Sequence, residues 1–158
     1  MATSDALDSL NGLVVPLATK PLLLPNIAVA ELVGYRLSQP ATEGPEWFLG
    51  WTTWRDQLVP LIDPERLLGQ NPSPDSTAQP RTLVLNALGG RSGLKFVGMR
   101  IAAIPRSRKV IRGEIETRAE GAEFVLQEIS LGGDSETMLI PDLLAIEQAL
   151  ADTGLLRA

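Results

Sequence analysis

The sequence predicts a mainly β protein, closed or nearly closed into barrels, with a few short helices. Three observations carry that expectation. Gly 14 and Pro 12 are spread through the 158 residues, so turns recur at short intervals. The apolar runs between them are short and do not alternate with long helices, which argues against a parallel α/β sheet. A set of many short strands also leaves edges, and closing a barrel removes them.

Taken in order, residues 1–12 read as a flexible tail. Residues 13–17 and 20–24 are two strands around a turn at 18–20, with prolines pushing them toward edges or bulges. Asn26 is placed to cap a single helical turn over 27–30. Residues 31–37 (ELVGYRL) form a strand with Gly34 marking a bulge, and 38–46 form a loop. Residues 58–62 (LVPLI) are an apolar strand. Asp63 as N-cap, Pro64 at the first helical position and Gly69 past the end then predict a short helix. Residues 70–80, with Pro72, Pro74 and Pro80, are the most loop-like segment. Strands follow at 81–88 and 93–101 around a turn at 89–92, then a short one at 109–111. Residues 113–123 read as a charged loop. A last hairpin joins 124–131 to 136–140 around 132–134. The clearest helix is 141–150, with an apolar stripe of Leu143, Leu144, Ile146, Ala149 and Leu150 and a stop at Gly154. The expected total is about eight to ten strands.

Composition narrows the chemistry. Hydrophobic residues at 44% and charged residues at 21% are those of one globular domain. The chain has no cysteine and no histidine, which excludes disulfides, thiolate nucleophiles and the usual general base near neutral pH. An enzyme on this chain has to work with carboxylates, Ser/Thr, Lys, Tyr or a bound cofactor. Glu31 and Asp63 are candidate carboxylates, but strand-end and helix-cap roles account for them more economically. No catalytic residue, cofactor or metal site is therefore expected. The N-terminus lacks the basic and apolar regions of a secretory signal. No run approaches the roughly 20 apolar residues of a membrane helix. The expected place is the cytoplasm, without direct membrane insertion.

Charge is unevenly distributed. Residues 81–112 hold eight of the 14 basic residues and no acid, although the net charge is −5. A solvated basic face and an acidic protein partner are both compatible with this. A nucleic-acid-binding module ranks third, because only Phe96 is available there for stacking.

The stretch that organises the chain is residues 45–69, PEWFLGWTTWRDQLVPLIDPERLLG. It contains Trp47, Trp51 and Trp54, all the tryptophans of the protein, beside Arg55. Aromatics and an arginine next to a turn point to a contact surface. Packing into a core otherwise poor in aromatics is the competing reading.

Five motifs, taken in order, resemble the CheW-like domain, the adaptor of bacterial chemosensory arrays: Val29-Ala30-Glu31-Leu32; Gly50; Arg55; Val59-Pro60-Leu61-Ile62-Asp63; and, later, the segment 138–144 (MLIPDLL). The resemblance covers residues 13–151. The family's Asn-x-Arg-Gly reads Thr53-Trp54-Arg55-Asp56 here, and Gly98-Met99-Arg100 stands where Val-Asp is usual. These departures make the chain look closest to ChpC-like accessory adaptors of type IV pilus chemosensory systems.

The resemblance implies two small five-stranded β-barrels packed together, the first at 13–69 and the second at 81–140. A closing helix at 141–151 and a tail at 152–158 complete it. It implies two partners: the cytoplasmic tip of a methyl-accepting chemoreceptor and a CheA-type histidine kinase. Among its site residues, Val29 offers apolar area, Gly50 permits close approach of a helix, and Arg55 supplies charged donors. Glu31 belongs to the same pattern. Trp51 and Trp54 lie outside it and are candidates for partner choice. For Arg55 and both tryptophans a purely structural role remains the alternative.

Overall fold

The computed structural model describes residues 9–18, 20–69, 80–90, 94–131 and 136–155. Among them twelve strands form two six-stranded sheets. The first sheet contains β1 (Ser9–Val15), β2 (Leu22–Pro25), β9 (Arg106–Ile111), β10 (Ile115–Ala122), β11 (Val125–Leu131) and β12 (Met138–Pro141), in the order β10-β11-β12-β2-β1-β9. The second contains β3 (Val29–Gly34), β4 (Gln39–Pro40), β5 (Phe48–Trp54), β6 (Gln57–Ile62), β7 (Arg81–Asn86) and β8 (Phe96–Ile101), in the order β3-β7-β8-β6-β5-β4.

The mainly β expectation holds, with two corrections. The sheets have six strands and open ladders, not five strands and closed ones. They also do not divide the chain at 70–80. Both strands of residues 9–25 pair into the first sheet with β9 to β12, so the N-terminal segment joins the C-terminal half.

Each sheet is nonetheless rolled. Glu31 on edge strand β3 and Trp54 on β5 are four strand spacings apart along the ladder, about 19 Å in a flat sheet. Their side chains instead meet at 2.8 Å. In the first sheet Val110 of β9 and Ile115 of β10, at opposite ends of the ladder, line one hollow. Rolling gives both faces of many strands an apolar environment. Leu22 and Leu24 enter the main cluster between the sheets, while Leu23 enters a second cluster inside the first sheet. Leu83 and Leu85 likewise face the main cluster, and Val84 joins Trp54 and Val59 inside the second sheet. That is why these strands read as unbroken apolar runs.

Helix α1 (Pro64–Leu67) starts as the sequence predicts, with Asp63 Oδ1 accepting the Glu65 N–H at 3.1 Å and Gly69 at φ +79° beyond its end. Helix α2 (Leu143–Asp152) starts after Asp142, whose side chain accepts the Ala145 N–H at 3.1 Å. Its Ile146 and Leu150 pack into the main cluster with residues of both sheets. Leu144, assigned to the apolar stripe, is instead 52% exposed. In its place the buried Glu147 accepts the Leu88 and Gly89 N–H groups at 2.7 and 2.9 Å, which ties α2 to the end of β7.

Other local expectations are revised. Ser9 to Gly12, assigned to a tail, belong to β1. Residues 113–123, read as a charged loop, contain β10, whose described side chains are all exposed, so no apolar periodicity marks it. The bulge of β3 lies between Val29 and Glu31, not at Gly34. The turn at Asn26–Ala28 is a 3-10 turn without a side-chain cap. Most of the loop at 70–80, part of the turn at 89–92 and the turn at 132–134 lie outside the described residues, as do residues 1–8 and 156–158.

Candidate partner-binding site

The hairpin β5–β6 pairs Trp54 with Gln57, which leaves Arg55 and Asp56 as a two-residue turn. Both have positive φ, +47° and +61°. A turn of this kind matches the twist of the strands and favours Asn-Gly. With Arg-Asp it costs roughly 1–2 kcal/mol per residue in the left-handed region, less where a short polar side chain is accommodated.

The surroundings hold the turn in place. Trp54 is buried against Phe96, with ring centroids 4.7 Å apart and nearly edge to face. Its indole N–H donates to Glu31 Oε1 at 2.8 Å. The Arg55 guanidinium lies 4.7 Å above the Trp54 ring, and its Nη2 is 3.5 Å from the same Glu31 oxygen. One carboxylate thus serves a buried indole and an exposed guanidinium, bridging the open seam of the second sheet. The Arg55 side chain is 67% exposed. An ion pair so exposed adds little stability. Its effect is to hold charged donors at the surface in one orientation, resting on an aromatic face.

The other residues singled out from the sequence are divided. Val29 is on the same strand as Glu31, half-buried against the main cluster. Gly50 and Trp51 lie further along β5, beside β4. A Cβ at Gly50 would sit 2.1 Å from Gln39 O and 2.7 Å from Ala41 N, and its φ is +135°. The close approach expected there is made by the chain's own β4, which corrects the reading of Gly50 as room for a partner helix. Trp54 is likewise corrected from an exposed contact to a buried one. Trp51 is only half-buried, edge-to-face on Phe48 at 5.7 Å, and opens onto a cleft of about 400 Å³ lined by Pro40, Ala41 and Leu155 among others.

Two contributors went unrecognised in the sequence. Phe96 supports Trp54 from a strand 42 residues further on (96 − 54), and Ser38 Oγ accepts the Thr53 N–H at 2.9 Å. Nothing local marks either as a support for the turn; the sequence singles out Phe96 only as the one aromatic of the basic segment 81–112. Glu31 and Asp63, weighed as a carboxylate pair, serve different partners, Asp63 capping α1 and lying 3.5 Å from Arg66. Among the described residues no group of three or more Asp or Glu is placed to hold a metal ion, and no helix is long and apolar enough to cross a membrane.

Comparison with family models matches the CheW-like domain over residues 11–150. The crystal structure of the scaffolding protein TtCheW from Thermoanaerobacter tengcongensis is similar, with a TM-score of 0.75, 20% identity, and coverage of 94% of this chain and 99% of that one. At that identity the likeness is one of fold. No curated protein matches this sequence.

Proposed function

The chain belongs to the CheW-like domain family, and from that premise we propose that it is a non-enzymatic adaptor coupling a methyl-accepting chemoreceptor to a CheA-type histidine kinase. The observation that carries the proposal is the family match over 140 residues (11–150), nearly the whole chain. A similar fold in a scaffolding protein supports it. So does the surface: Arg55 is oriented outward by Glu31 and Trp54, and half-buried Val29 lies on the strand beside them. Arg55 and Val29 are the proposed contact residues, with Glu31 orienting Arg55. Trp51 adds apolar area at the far end of β5. Gly50 and Trp54 act by holding these residues in place.

An adaptor of this kind works by binding two partners at once, which raises the effective concentration of one at the other. It works in the cytoplasm at membrane receptor arrays. The departures at Thr53, Asp56 and Met99 support placing it in an accessory system, such as one controlling type IV pili and twitching motility.

The test is co-sedimentation of the chain with a cognate receptor tip and kinase. Binding to neither would sink the proposal. Arg55→Ala should weaken coupling by roughly ten- to a hundredfold, since a charge-assisted interface bond contributes roughly 1.5–3 kcal/mol. Its melting temperature should stay close to that of the parent, because the side chain is exposed.

A further inference from the structure

Two aromatic rings of this chain are covered by its own arginines: Arg55 lies 4.7 Å above Trp54, and Arg100 lies 5.3 Å above Tyr35. Trp51 is different. Among the described residues no cation lies over its ring, which meets Phe48 edge to face and borders the cleft of about 400 Å³. The polar side chains lining that cleft are Gln39, Thr42 and Glu43, and Glu43 is the one charged residue of the lining. Glu43 is exposed and makes no hydrogen bond or ion pair among the described residues. The two segments that wall the cleft, residues 37–54 and 142–155, contain Glu43, Glu46, Asp142, Glu147 and Asp152 and no Lys or Arg. Arg55 is four residues from Trp51, about 13 Å along an extended strand. Arg36 precedes Ser38, whose hydroxyl binds the Thr53 N–H, and so lies toward that same far end of β5. Arg157, two residues beyond Leu155, is outside the described residues. The described walls therefore make the cleft aromatic and negative, which draws a cation to it.

We propose that this cleft seats an arginine side chain of a partner protein, its guanidinium stacked on Trp51 and paired with Glu43. Indole is the best of the aromatic rings for a cation, and the planar, weakly hydrated guanidinium stacks on it more readily than an ammonium does. Its five N–H donors match the acceptors at hand, which are the Glu43 carboxylate, the Gln39 amide oxygen and the Thr42 hydroxyl. A quaternary ammonium ligand would leave all three without a donor. Strand addition is not the mode of binding here. β4 is only two residues long and Pro40 has no N–H, so this edge of the second sheet gives a partner strand almost no ladder to join. Recognition is by the side chain. The site lies at the opposite end of β5 from Arg55 and does not depend on the coupling role.

The test follows the indole N–H signals of the isotope-labelled full chain by NMR, with that of Trp51 identified through Trp51→Phe. The titrant is the blocked peptide acetyl-Gly-Ala-Arg-Ala-Gly-amide at low salt. A saturable shift of the Trp51 signal is expected, with those of Trp47 and Trp54 unmoved. A peptide with citrulline in place of arginine, which keeps the shape and loses the charge, should bind at least about threefold more weakly; this arm needs no protein variant. Glu43→Gln, at an exposed position, should weaken binding about two- to fivefold. Absence of a saturable Trp51 shift overturns the proposal, as does equal affinity for the citrulline peptide or for its lysine counterpart. A shift seen only after Arg157→Ala also overturns it, since the chain's own arginine then fills the cleft. These arms use the chain alone, whereas the coupling role is tested with receptor tip and kinase, so the two readings fail separately.

Discussion

Replacing Gly50 with alanine separates the two roles this glycine can play. The new methyl group would lie 2.1 Å from Gln39 O, 2.7 Å from Ala41 N and 2.9 Å from Pro40 C, all of them backbone atoms of or next to β4. Backbone cannot swing aside as a side-chain tip does, so β4 has to separate from β5. That endangers the Ser38 N–H bond to Trp51 O at 2.8 Å and the Ala41 N–H bond to Leu49 O at 2.9 Å. Two such bonds are worth roughly 1 kcal/mol each. A non-glycine residue at φ +135° adds about 1–3 kcal/mol of strain. The total is roughly 3–5 kcal/mol, which lowers Tm by on the order of 10 °C in a domain of this size. The assay is thermal unfolding followed by circular dichroism, run beside receptor and kinase co-sedimentation. A Tm within about 2 °C of the parent together with lost partner binding would refute the reasoning and restore the role of Gly50 as room for a partner.

Three further outcomes test the site and its support. Glu31→Ala leaves the buried Trp54 indole N–H without its acceptor and should destabilise by about 1–3 kcal/mol in urea unfolding, whereas Glu31→Gln, which keeps an acceptor oxygen, should lose less than half of that. Asp56→Gly relieves the second left-handed position of the turn and should raise the urea midpoint by an amount equivalent to about 0.5–1 kcal/mol; an unchanged or lower midpoint would show that the turn is not strained there. Glu147→Ala orphans the Leu88 and Gly89 N–H groups and should cost roughly 2–4 kcal/mol, with amide exchange accelerating first at those two residues.

The candidate site was legible in part, for physical reasons. Val29, Glu31, Gly50 and Arg55 could be found because their spacing follows a family pattern. What each does could not, because it depends on distant chain. Gly50 is explained by β4 rather than by a partner. Trp51 and Trp54 are three residues apart on one strand and so lie on opposite faces. Only the rolled sheet shows that the face of Trp54 is closed over by Glu31 and Phe96 while that of Trp51 meets an open cleft.

By itself the sequence determined the features whose causes are local. Asp63, Pro64 and Gly69 delimit α1, Asp142 starts α2, and abundant turn residues make the chain mainly β. The sheet to which each strand belongs was decided by tertiary structure. Ser9 pairs with Ile111, 102 residues away (111 − 9), and nothing near either residue encodes that choice. Apolar runs such as 22–24 and 83–85 do not disclose which face goes where, since rolling buries both. An exposed edge strand such as β10 shows no periodicity at all. Local chemistry specifies a residue's conformation; its partners follow from how the whole chain shares out the burial of its apolar surface.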